Sequence, residues 1–251
     1  MRKIIYGEDK ILLDQGTFFG KGVFETILYL NKPVFLEEHL KRLKEGMKVL
    51  ELDELEEREL REFIGKLNIN NKALKILVTP LNIIITEREI PYTREDFNKG
   101  MNLTLSKVLR NSTSRLTSIK STCYIENILE KQKAKSEGFD DVLFINEKGY
   151  LAETSCSNIF LVKNNRILTP KSDNGLLRGI IRKWIMKNFA VEESNLTYDD
   201  LSSADEVFIT NSLMGVMKVN KIDNFTYRRE EITLEIFNKY NEVISRLGDQ
   251  V

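Results

Sequence analysis

A chain of 251 residues, 41% of them apolar, is long enough to fill one large core or two modest ones. Its 38 basic and 38 acidic side chains cancel, so the overall balance favours no polyanionic partner such as nucleic acid. One histidine and two distant cysteines offer neither zinc spacing nor a disulfide scaffold, and no apolar run approaches the ~18 residues of a membrane span. No signal-peptide pattern follows Met1, and a reducing cytoplasm is the expected compartment.

In chain order, "KIIYGEDKILL" predicts a short hairpin, and "GVFETILYLNKPVFL" predicts two strands around an Asn-Lys-Pro turn. From Leu36 the period changes: Leu40, Leu43, Met47 and Leu50 recur in steps of four and three, one apolar stripe of a helix. His39 lies inside that pattern, which argues against a Ser/His/Asp triad built on it. A charged helix is expected over about 54–67, then a strand pair from "LKILVTP" and "NIIITER", and a strand in "MNLTLSKVL". The segment "RNSTSRLTS" is polar and aperiodic, the best linker in the chain. It divides the sequence into a smaller α+β domain over 1–111, a linker over 112–118 and a larger α+β domain over 119–251.

Beyond the linker a helix is expected over about 122–136, followed by a strand pair in "DDVLFINEKGYLAET". A hairpin in "SNIFLVKNNRILTP" turns at Asn164-Asn165, residues suited to positive φ. A helix over about 179–188, a buried strand in "DEVFITNS" and a last helix with Ile232, Ile236, Tyr240, Val243 and Leu247 on its core side complete the reading.

Taken singly, Arg42, Lys120 and Glu153 read as ordinary surface charges. Together, "VFETI … LEEHLKRL … IKSTCYIENIL … GYLAETSCSNIF … ILTP … GLLRGIIR … EVFITNSLMGV" resembles fold-type IV pyridoxal-phosphate enzymes, the class IV aminotransferase family. The resemblance runs from about residue 16 to 219 and implies the two-domain α+β architecture of D-amino-acid aminotransferases, pyridoxal 5'-phosphate (PLP) as cofactor and a homodimer.

It also implies roles. Lys120 resembles the lysine that forms the Schiff base, Glu153 the acid facing the pyridine nitrogen, and Tyr124 a tyrosine beside the cofactor ring. Arg42, Ser212 and the backbone of Gly179, Ile180 and Ile181 resemble the phosphate-binding set. The chemistry agrees: a helix N-terminus favours a dianion, a carboxylate keeps a ring nitrogen protonated, and a desolvated lysine is drawn toward its neutral, nucleophilic form. Three departures stand out. Cys123 replaces a common asparagine and reads as a packed thiol, Ile181 replaces a hydroxyl residue, and Met217-Lys218-Val219 replaces Thr-Pro-Val.

Within the family, "GVFETI" and "TNSLMGV" are similar to aminodeoxychorismate lyases, whereas branched-chain enzymes typically read Phe-Glu-Gly-Ile-Arg at the first position. The implied activity is release of pyruvate from 4-amino-4-deoxychorismate to give 4-aminobenzoate for folate synthesis. A branched-chain or D-amino-acid aminotransferase is the alternative, and a non-catalytic PLP-binding protein a second. Arg110, Arg115 and Arg178 are open between pairing with a substrate carboxylate and solvated loop charges.

Overall fold

The computed structural model describes residues 2–7 and 10–249 of an α+β chain. Two compact units emerge: Met1–Pro91 with Ile119–Cys123 and Val243–Val251, and Tyr92–Ser118 with Tyr124–Glu242. Both differ from a simple cut at 112–118. Residues 92–111 group with the second unit, and the segment carrying Lys120 groups with the first.

The first unit opens with β1 (Lys3–Tyr6), α1 (Gln15–Phe19) and β2 (Val23–Tyr29). It continues through α2 (Leu36–Val49), α3 (Glu57–Gly65), β3 (Lys72–Val78) and β4 (Asn82–Glu89). The strands form one sheet in the order β1-β4-β3-β2. The expected initial hairpin is absent: β1 pairs in parallel with β4, and Ile11–Leu13 form no strand and lie exposed. After the Asn-Lys-Pro turn only an isolated bridge, Tyr29 to Pro33, replaces the expected second strand.

The stripe on α2 behaves as its spacing predicts. Leu40, Leu43 and Met47 pack with Leu60 and Ile64 of α3 against Val23, Ile27, Leu74, Ile76, Val78, Ile83 and Ile85 of the sheet. Full burial of each such side chain contributes about 1.5–3 kcal/mol, which fixes the face that α2 turns to β2.

The second unit begins with α4 (Arg94–Lys99), β5 (Met101–Leu105) and α5 (Ile125–Ser136). Next come β6 (Asp141–Ile145), β7 (Leu151–Thr154), β8 (Asn158–Lys163) and β9 (Arg166–Pro170). Asn164 and Asn165 take φ of 51° and 58° between β8 and β9, the conformation their side chains tolerate. Then follow α6 (Ile180–Asn188), β10 (Val191–Ser194), α7 (Tyr198–Ser202), β11 (Glu206–Asn211), β12 (Gly215–Ile222), β13 (Phe225–Thr226) and α8 (Glu231–Asp249).

The sheet runs β10-β9-β8-β11-β12-β5-β6-β7, and β7 also pairs with β8, so six of its strands close a ring. The closing pair is Glu153 with Asn158. β5 belongs here because it lies parallel to both β12 and β6. On α8, Ile236 and Tyr240 are buried as expected, whereas Ile232, Val243 and Leu247 are half-buried. No described helix is long and apolar enough to cross a membrane.

Candidate active site

In the first unit Lys120 lies along β2. Phe24 N–H donates to the Lys120 carbonyl (2.8 Å), Thr122 N–H donates to that of Gly22 (2.9 Å), and Val23 bridges Ser121. These two backbone hydrogen bonds, which together make the Val23–Ser121 bridge, hold the lysine whatever its side chain does. Its Nζ sits 4.4 Å from the centre of the Phe24 ring, and Lys75 Nζ is 4.7 Å from the same ring. Burial, and then repulsion from Arg88, lowers the Lys75 amine below its ordinary value.

Glu25, the next residue on β2, turns to the other face, where α2 presents His39 and Arg42. Arg42 gives Nε to Oε1 and Nη2 to Oε2 of Glu25, both at 2.7 Å, and His39 Nδ1 lies 2.7 Å from Oε2. All three are buried. Burial alone would raise the Glu25 carboxyl, but the guanidinium and the imidazole outweigh it and hold the acid far below the usual carboxylate range. For His39 burial wins over the neighbouring carboxylate, and the ring is held below its usual value. Two nitrogens of the arginine that the resemblance assigns to a phosphate are therefore engaged by an acid the sequence reading did not single out. Its signal was there: a lone charge in an apolar strand, with His39 and Arg42 three residues apart on the facing helix.

The other candidates share the second unit. Glu153 accepts from Leu177 N–H at Oε2 (3.1 Å), while Asn158 Nδ2 donates to the Leu177 carbonyl (2.7 Å). This fixes the carboxylate against the loop that leads into α6. Gly179 is the N-cap of that helix and supplies no side-chain cap, so Ile180 and Ile181 begin a first turn with backbone donors available to an anion. The φ at Gly179 is ordinary, and the constraint is space: a Cβ would fall 2.1 Å from Asn158 Oδ1. Gly179→Ala must displace Asn158 from Leu177, an expected loss of about 1–3 kcal/mol that a lowered melting temperature and weaker cofactor retention will register.

Tyr124 donates to the Ser155 carbonyl (2.8 Å). Burial, then the Glu153 charge, pushes its phenol well above the ordinary value. Ser212 lies in the turn after β11, where Asn211 Oδ1 accepts from Leu213 and Met214 N–H and Asn211 Nδ2 donates to Ser157. The β7–β8 loop therefore links the surroundings of Glu153, Tyr124 and Ser212.

Two sequence readings change. Cys123 is exposed, its Sγ 3.5 Å from the Gly20 carbonyl, and is not a packed thiol. Arg110 is neither solvated nor on the surface: its guanidinium is buried over the Phe144 ring, 3.8 Å from the centroid. Arg115 and Arg178 are exposed. Among the described residues no group of histidine, cysteine and acidic side chains is arranged to hold a metal.

The fold is that of a solved branched-chain aminotransferase from Thermoproteus uzoniensis (TM-score 0.84, 22% identity, 94% of this chain and 90% of that one). The Amino-transferase class IV family model matches residues 22–222, and the chain belongs to that family. A D-alanine aminotransferase of Listeria monocytogenes is 30% identical over 265 residues, 93% of this chain and 90% of the relative. The aminodeoxychorismate lyase of Bacillus subtilis is 27% identical over 239 residues, 85% of this chain and 82% of its own length.

Proposed function

We propose that the protein is a PLP-dependent aminodeoxychorismate lyase, forming 4-aminobenzoate and pyruvate from 4-amino-4-deoxychorismate for folate synthesis, and that it acts as a homodimer. The residues fit the cofactor: an uncapped helix start behind Gly179 for the phosphate, Glu153 fixed by Leu177 for the ring nitrogen, and Lys120 for the aldehyde. When bound, PLP supplies an electron-accepting ring that stabilises negative charge developing beside the substrate nitrogen.

The protein's own share is binding and proton handling. The first-turn N–H groups of Ile180 and Ile181, with Ser212, orient the phosphate, while Arg42, braced by Glu25, lends positive charge. Lys120 Nζ takes the proton beside the substrate nitrogen and returns it to the departing fragment. Lys75, a cation over the same Phe24 ring, favours a substrate carboxylate.

The lyase reading is carried by β2, where Thr26 and buried Leu28 stand at the positions that branched-chain enzymes typically fill with glycine and arginine. The similarity to a D-alanine aminotransferase supports a second reading, amino transfer from a D-amino acid. The two separate in one assay. Purified holoenzyme given 4-amino-4-deoxychorismate is expected to release 4-aminobenzoate and pyruvate in equal amounts. Absence of 4-aminobenzoate, with 2-oxo-acid-dependent amino transfer from D-alanine, would establish the second.

A further inference from the structure

Behind Glu153 lies a buried cation that nothing described so far employs. Arg110 follows β5, and Asn146 bridges it beyond the end of β6. Its guanidinium covers the face of Phe144, Nη1 donates to Glu126 Oε1 (3.1 Å), and Nη2 stands 3.9 Å from Glu153 Oε1. Nε and Nη2 are buried with no hydrogen-bond partner. A buried guanidinium with idle donors is destabilising, and an aromatic face offsets only part of that cost. Its position is therefore informative. One oxygen of Glu153 is held by a peptide N–H, and the other faces a fixed positive charge.

A carboxyl group beside a pyridine nitrogen shares one proton with it, and the proton rests on one atom or the other. With Glu153 against the cofactor ring, as the functional reading above requires, the guanidinium faces the carboxylate. Moving the proton from Glu153 to the ring nitrogen carries positive charge away from Arg110 and leaves an anion opposite it. The electrostatic preference is for the proton on nitrogen, and in a buried site it is screened little. Glu126 opposes this only in part, because its carboxylate is half-exposed.

We propose that Arg110 is a positioning residue that biases the proton shared by Glu153 and the cofactor's ring nitrogen onto the nitrogen, the form in which the ring accepts electrons best. It touches neither cofactor nor substrate and acts through Glu153.

The test uses full-length protein loaded with PLP labelled with 15N in the ring. In the unmodified enzyme the resonance is expected at the pyridinium position. Arg110→Met is expected to move it toward neutral pyridine, with Arg110→Lys between, because an ammonium cannot span Glu126 and Glu153 as the flat guanidinium does. A merely structural role would lower the melting temperature without moving this resonance. Should Arg110→Met fail to fold, Arg110→Lys decides in the same sense: displacement supports the bias, and an unmoved resonance overturns it. A pyridinium signal unchanged in the variants sinks the role of Arg110 alone. A neutral signal in the unmodified enzyme sinks the placement of Glu153 and the bias with it.

Discussion

Lys120→Ala is expected to lower turnover by roughly 10²- to 10⁴-fold, the contribution of a positioned proton-transfer group, with little change in stability. The stability forecast follows from the way the residue is held. The contacts along β2 use the carbonyl of Lys120 and the backbone of its neighbours, which alanine keeps. Borohydride treatment of the loaded wild-type protein, followed by peptide mass mapping, is expected to place the pyridoxyl group on the peptide containing Lys120. Lys75 is the informative control, since it lies over the same ring yet belongs to β3, and Lys75→Ala should leave that adduct intact. A trapped adduct at Lys75, or full turnover in Lys120→Ala, would remove the chemical role given to Lys120.

The largest stability effect is expected at Glu25. Glu25→Gln leaves a buried guanidinium without its counter-charge, and breaking a buried pair from one side costs about 3–5 kcal/mol. For a chain of this size that corresponds to a melting temperature lowered by roughly 6–20 °C. Arg42 would also lose the fork that orients it, so PLP affinity should fall with stability.

The same cluster sets a pH dependence. Both Glu25 and His39 have folded values below their ordinary ones of 4.5 and 6.5, so the unfolded chain binds more protons and stability rises with pH. The contribution of His39 is complete above about pH 6.5 and declines as pH falls below it, and that of Glu25 follows below about 4.5. Because His39 is the only histidine, urea unfolding at pH 7 and pH 5.5 should reveal its step, and His39→Asn should flatten it. An unchanged slope would mean that His39 is not held neutral.

Sequence periodicity was a reliable guide wherever one face of an element meets a core, as on α2, where the stripe named the buried residues. It could not reach partners distant along the chain. "MNLTL" reads as a strand, but only its pairing with β12 and β6 assigns it to the second unit. β12 itself was hidden behind the turn signal of "NSLMG", where Gly215 adopts φ 64° and the chain doubles back as a strand. At the start, Ile11–Leu13 look like a strand because they are apolar, yet the backbone of Leu12 is held by the Asn82 side chain and no neighbouring strand accepts the segment.

The candidate site shows the same division. Lys120, Glu153 and Gly179 stand out through family motifs, because chemistry dictates those residue types. Glu25 and Arg110, which lie beside Arg42 and Glu153, have no motif of their own and become visible only through burial and distance.

The first unit is assembled from three stretches of chain, including Ile119–Cys123 and the end of α8. During synthesis its front portion leaves the ribosome well before the strip that bears Lys120, and long before the last turns of α8. Completion of that unit is thus postponed until the residues from Val243 onward have been made, and a fragment ending before them would emerge without its full complement of parts.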